Sequence, residues 1–275
     1  MPLLTLTTDI GQNDYITGAV KGQLLKADDS FNIVDISHQL SPFNFQQTAY
    51  ICSSAFRHFP EGTFHLVIVN LFDSPPGHLL IAEHNAHFIG CPDNGILTMI
   101  TGTKPKSIVA IPVESSGGTH TLQCTQAWAK AFVTISKSKK LQSVGTSLTE
   151  ITEKYPLRCT IGPDWMEGQI IFIDNFENVV VNITESEFEE HRKGRTFKIV
   201  FTRNETISSL SESYATVSPG EKMAWFNAAG YLELAINKGN MAGLFGLRGI
   251  TEGTRQNSTS LQNEWFYKTV RIFFE

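Results

Sequence analysis

Two textures of hydrophobic patterning divide the chain. In the first half, short apolar runs alternate with segments of helical period. Leu3–Thr7 reads as a strand ending at Asp9 and Gly11, and from Asp14 the apolar positions Tyr15, Ile16, Ala19, Val20 and Leu24 fall at helical spacing. Phe31–Ile36 is a second strand. Phe45, Ala49, Cys52, Phe56 and Phe59 then recur at helical spacing until Pro60-Glu61-Gly62 stops them. Phe64–Val69 is an unbroken apolar run, the pattern of a parallel strand buried on both faces. This strand-helix-strand-helix-strand order predicts an α/β layer with right-handed crossovers. Shorter strands are predicted at Leu79–Ala82, His87–Ile89 and Ser107–Ile111, with a closing helix at Gln126–Ile135.

From about Gly162 the pattern changes. Gln169–Asp174, Val179–Ile183, Thr196–Thr202, Met223–Phe226, Tyr231–Ile236 and Trp265–Phe274 are short β-like runs separated by turn-prone segments. They predict an all-β second domain, a small barrel or sandwich. Pro156, Gly162 and Pro163 cluster between the two halves and place the linker within residues 150–166. The expected division is an α/β domain over residues 1–160 and a β-barrel domain over 165–275.

Of the 275 residues, 41% are hydrophobic and 18% charged, which supports real cores and excludes general disorder. The net charge of −5 argues against a dedicated nucleic-acid binder, which carries a basic stripe. No apolar run reaches membrane-spanning length, and Met1–Thr5 lacks the basic and apolar regions of a signal peptide, so a cytoplasmic, membrane-free protein is expected. Cys52, Cys91, Cys124 and Cys159 are far apart and form no C-x-x-C pair; they read as buried free thiols.

Taken alone, the residues name no reaction. Gly11 sits at a strand-to-helix turn, where open α/β sheets bind ligands, yet no G-x-G-x-x-G or P-loop pattern is present. Asp9 at the end of the first strand is read either as an acceptor for a sugar diol or as an N-cap for the next helix. His78, His84 and His87 are close in sequence, but strand alternation scatters them, and no metal site is expected. Pro92-Asp93-Asn94-Gly95 reads as a turn.

Several segments taken together resemble one family, the S-adenosyl-L-methionine hydroxide adenosyltransferases, with their related fluorinases and chlorinases. The segments are Thr7-Thr8-Asp9-Ile10-Gly11 with Asp14-Tyr15 and Lys21-Gly22; Val34-Asp35-Ile36-Ser37-His38 leading to Ser41-Pro42-Phe43; and Phe59-Pro60-Glu61-Gly62-Thr63. Pro92-Asp93-Asn94-Gly95-Ile96-Leu97 follows, then Asp174-Asn175-Phe176-Glu177-Asn178 with Asn182-Ile183, and Asn227 through Asn237. The resemblance implies an α/β first domain and a β-barrel second domain. It also implies a homotrimer with the adenosyl ligand held between subunits, and S-adenosyl-L-methionine as substrate or ligand with no further cofactor. It gives Asp9 the ribose hydroxyls, Phe43 the face of the sugar and base, Asp174 the methionine ammonium and Asn178 the adenine side. Asn227 and Ala228 occupy the family's Asn-Ser-x-Gly segment, with alanine in place of the serine.

The family's catalytic triad does not carry over. Its hydrolases attack C5′ with a water positioned by Asp, Arg and His. Alignment places Asn70, Gly77 and Gln123 at those three positions. A positioned base contributes about 10²–10⁴-fold, and neither Asn70 nor Gln123 accepts a proton near neutral pH. Hydrolysis is expected to be weak or absent unless Asp73, His78 or His120 has taken over. Three readings follow: an adenosyl-cleaving enzyme with a rebuilt reaction centre, a non-catalytic adenosyl or nucleoside binder, and a trimeric scaffold without ligand.

Overall fold

The computed structural model describes residues 1–73, 77–113, 120–203, 205–247 and 268–275. The chain forms two compact units, Met1–Pro156 and Leu157–Glu275.

The first unit runs β1 (Leu3–Thr8), α1 (Ile16–Ala27), β2 (Asn32–Ser37), α2 (Phe45–Phe56), β3 (Phe64–Ile68), β4 (His78–His84), β5 (His87–Pro92), α3 (Ile96–Thr101), β6 (Ser107–Pro112), α4 (Thr121–Ser138) and β7 (Thr146–Ser147). Its seven-stranded sheet has the order β2-β1-β3-β5-β4-β6-β7. β2, β1, β3 and β5 are mutually parallel, as the helical crossovers require, while β4 runs antiparallel to β5 and β6. The reversal is local: Asn85 and Ala86, at φ +48° and +61°, make a two-residue turn of the kind that matches the strand twist. One apolar cluster packs α1 and α4 on one face of the sheet, and a second packs α2 and α3 on the other.

Helix α4 begins five residues before the Gln126 expected from periodicity, because its first turn carries little apolar signal. Its Trp128 is fully buried and donates from Nε1 to the Leu80 carbonyl at 3.1 Å. The indole and Phe132 lie against Gly90, where an added Cβ would meet Phe132 Cζ at 2.7 Å, so only glycine fits there. Trp128→Ala is expected to lower unfolding free energy by about 3 kcal/mol, measured by urea titration.

His65 on β3 is fully buried, its Nδ1 2.7 Å from Thr5 Oγ1 and its ring stacked on Phe56 at 3.7 Å between centroids. Burial, then neighbouring His87, depress its pKa from 6.5 to about 3. The unfolded chain therefore takes up this proton first as the pH falls. Stability conferred by the neutral ring is complete above 6.5 and is lost progressively down to about 3. Urea titrations across that range are expected to show a falling midpoint, with a shallower fall in His65→Phe.

The second unit runs β8 (Thr160–Ile161), β9 (Trp165–Ile173), β10 (Val179–Thr184), α5 (Glu185–Arg192), β11 (Phe197–Thr202), β12 (Glu205–Ile207), β13 (Lys222–Phe226), β14 (Tyr231–Ile236), α6 (Met241–Leu244) and β15 (Thr269–Phe274). All its pairings are antiparallel, in the order β12-β11-β15-β9-β10-β14-β13 with β8 on β9. The end strands β12 and β13 approach each other, so the sheet curls into a nearly closed barrel around one apolar cluster. The last strand expected from the sequence is observed over Thr269–Phe274; residues 265–267 lie outside the described residues.

Candidate functional site

In the first unit the parallel strands β1, β3 and β5 end on one edge, and antiparallel β4 begins there. Register puts Thr8 beside Ile68, Leu66 beside Gly90 and Leu79 beside Pro92. Asp9, Asn70, the Asp93-Asn94 pair and His78 therefore follow one another along the edge, about 4.8 Å from strand to strand.

Asp9 does not cap α1. The N-cap position is Tyr15, first of the apolar positions in the helical pattern, and its ring is 73% exposed. Instead Asp9 Oδ2 accepts the Asn70 backbone N–H at 2.7 Å. Asn70 presents that N–H because it sits in the left-handed region at φ +47°, which asparagine tolerates better than most residues. Burial raises the Asp9 carboxyl pKa above its usual value, and the Asn70 hydrogen bond opposes the shift. One carboxylate oxygen is thus fixed, and the group keeps acceptor capacity for further donors.

Asn94 explains why the Pro92–Gly95 segment is more than a turn. Its Nδ2 donates to the carbonyls of Val69 and Asn70, both at 2.9 Å, and its Oδ1 accepts from Ile96 N–H at the start of α3. Gly95 at φ +96° makes the left-handed step into that helix. Asn94 therefore ties the end of β5 to the turn that holds Asp9. Next to it, Asp93 Oδ1 accepts the Thr152 N–H at 2.8 Å, and Asp93 Oδ2 lies 3.0 Å from His78 Nε2. With Nε2–H donated to Asp93, the His78 Nδ1 carries the lone pair.

The other candidates are placed differently. Asp73 is 4.0 Å from Lys154 Nζ, which also sits over the Phe45 ring. Gln123, in the first turn of α4, accepts the His120 N–H at 3.2 Å, so this amide closes the helix start. His38 is buried, with Nδ1 2.9 Å from Thr8 Oγ1 and Nε2 3.1 Å from Asp35 Oδ1. Gly77 precedes β4 beside His78. Phe43, in the loop after β2, is 58% exposed, and Phe72 after β3 is 50% exposed. Aromatic surface is thus displayed along the edge that carries Asp9. His78 and His84 stand at opposite ends of β4, and no group of three metal-ligating side chains assembles among the described residues.

In the second unit, Asp174 follows β9 and Asn178 precedes β10. Asp174 Oδ1 accepts the N–H groups of Phe176 and Asn178 at 2.9 and 2.8 Å, and Oδ2 accepts Asn178 Nδ2 at 3.0 Å. Tyr214 and Glu233, which sequence reasoning missed, complete this cluster. Asn178 Nδ2 donates to Tyr214 Oη at 2.9 Å, and Tyr214 donates to Glu233 Oε1 at 3.0 Å. Trp225 Nε1 and Asn227 Nδ2 also donate to the Glu233 carboxylate, at 2.9 and 3.1 Å. Asn227 Oδ1 accepts from the N–H groups of Ala229 and Tyr231, shaping the turn that contains Ala228. A charged residue in the otherwise apolar Tyr231–Ile236 strand was the available signal for Glu233.

A mixed α/β unit with a polar strand edge, joined to an antiparallel barrel with a carboxylate–amide loop, defines the class; family comparison makes it specific. Residues 4–145 match the SAM hydroxide adenosyltransferase N-terminal domain and residues 168–252 the corresponding C-terminal domain, so the chain belongs to the SAM hydroxide adenosyltransferase family. It is 29% identical over 192 residues to an (R)-S-adenosyl-L-methionine hydrolase of Methanocaldococcus jannaschii, covering 68% of this chain and 69% of that protein. A Thermus thermophilus protein of the same name is 23% identical over 254 residues, covering 88% and 94%. A fluorinase of Actinopolyspora mzabensis is 21% identical over 282 residues, covering 90% and 94%. The fold is that of an uncharacterized conserved protein from Thermotoga maritima, with a TM-score of 0.81 at 20% identity over 98% of this chain and 99% of that one. Among the described residues no helix is long and apolar enough to cross a membrane.

Proposed function

We propose that this protein binds S-adenosyl-L-methionine by its adenosyl group and cleaves it at C5′ with water, giving adenosine and methionine. The observation that carries the reading is the His78–Asp93 pair on the same strand edge as Asp9. Asn70, Gly77 and Gln123 offer no proton acceptor at the family's triad positions; His78, oriented through Nε2 by Asp93, offers one at Nδ1. In this reading Asp9 takes the ribose hydroxyls and Phe43 covers the sugar and base. In the neighbouring subunit's second domain, Asp174 takes the methionine ammonium, Asn178 faces the adenine, and the Asn227-Ala228 turn lines the methionine end. Water attacks C5′ while the C5′–S bond breaks. The electron pair goes to sulfur, leaving neutral thioether, and the water's proton passes to His78 Nδ1. A sulfonium is a good leaving group, so proximity and desolvation supply much of the remaining acceleration. The active form in this reading is a cytoplasmic homotrimer, with a light-scattering mass three times that of the chain.

A second reading, ligand binding without cleavage, is favoured by one observation: Gln123 is committed to the start of α4. One experiment separates the two. Purified protein is incubated with S-adenosyl-L-methionine, with and without chloride, and the products are resolved by chromatography while calorimetry measures binding. Adenosine above the spontaneous rate, independent of chloride, supports hydrolysis; heat without release supports the binder. A 5′-chloroadenosine product points to a halide nucleophile.

A further inference from the structure

The carboxylate of Glu233 is buried at 7% exposure on β14, between β10 and β13. Its partners given above are a phenol, an indole N–H and an amide N–H. Indole can only donate, and a carboxylate only accepts, so the direction of these hydrogen bonds is fixed. Tyr214 gives its one hydroxyl proton to Glu233, which leaves the phenol oxygen as an acceptor toward Asn178. Burial, then the charge of Glu233, raise the Tyr214 pKa well above its ordinary value, keeping that proton in place.

The consequence falls on Asn178. Its amide nitrogen has two hydrogens, and they meet two acceptors, Asp174 Oδ2 and Tyr214 Oη. The flipped amide would set its oxygen against a carboxylate oxygen and a phenol with no proton to offer. The hydrogen bonds given for Asn178 among the described residues use its backbone N–H and Nδ2, so Oδ1 is the group left over.

We infer that Glu233 is a positioning residue for base selection: through Tyr214 it locks the Asn178 amide with its oxygen presented, so that the site takes a 6-amino purine in preference to a 6-oxo purine. This rests on the reading that Asn178 faces the adenine. An exocyclic amine donates to the presented oxygen. A 6-oxo group confronts it with a second acceptor, which costs about ten- to a hundredfold in affinity.

The test is calorimetric titration of the full chain with adenosine and with inosine, for wild type, Tyr214→Phe and Glu233→Gln. Tyr214→Phe keeps the ring against Trp225 and removes only the oxygen. Thermal unfolding midpoints identify any variant that fails to fold, and Tyr214→Phe serves if Glu233→Gln does. Wild type is expected to prefer adenosine at least tenfold, and each folded variant to narrow that ratio threefold or more. An unchanged ratio in a folded variant, or a wild-type preference for inosine, overturns the inference while leaving adenosyl binding intact. Wild type that binds neither nucleoside nor S-adenosyl-L-methionine overturns both.

Discussion

His78→Ala is expected to slow adenosine release from S-adenosyl-L-methionine by about 10²–10⁴-fold, the usual contribution of a positioned base, with little change in ligand affinity. Among the described residues the imidazole is anchored through Nε2, by Asp93. Asp93 is itself held by the Thr152 N–H and by its place next to Asn94, whose amide is fixed to the turn after β3, so the carboxylate that aims the ring is held from two sides. Asp93→Asn keeps the shape of that chain but lets the amide donate toward His78, favouring the wrong tautomer, and an intermediate loss is expected. Rates from quantified adenosine, with calorimetric affinities for the same variants, check both points. A His78→Ala protein as fast as wild type would remove His78 from the reaction.

Asp9→Ala is expected to weaken adenosine binding by about 10²–10⁴-fold, because two hydrogen bonds to a charged acceptor are worth about 1.5–3 kcal/mol each. Asp9→Asn retains an oxygen for the Asn70 N–H and gives a smaller loss, near tenfold. The control lies in the ligand: 2′,3′-dideoxyadenosine offers no diol, so wild type and both variants are expected to bind it with similar affinity. If the variants lose the dideoxy compound as severely as adenosine, Asp9 acts by holding the Asn70 turn rather than by meeting the sugar.

Much of this architecture is legible in the sequence. Period marks Val20 and Leu24 of α1 and the alternating strands of the second half, unbroken apolarity marks Phe64–Val69, and the buried faces agree. The helices that escaped had reasons to. In α3 nearly every residue is buried, so no polar face marks a period. In α5 only Phe188 is buried, and the signal was the capping pair of Thr184 with Glu187. For the site, sequence could align residues but not orient them. Nothing in the order of letters says that Asp9 bonds the Asn70 backbone rather than capping α1. Nor does it say that Asn94 joins two strand ends, or that Glu233, Tyr214 and Asn178 form one chain of hydrogen bonds. Those links cross 25, 36 and 61 positions of sequence and exist only once register is set.

Solvent labelling tests the cleavage most directly. S-adenosyl-L-methionine is turned over in water enriched in oxygen-18, and the adenosine is examined by mass spectrometry. Attack of water on C5′ predicts one heavy oxygen per adenosine, at the 5′ position, in step with the enrichment of the solvent. Adenosine without the label, or none above the spontaneous background, would contradict it.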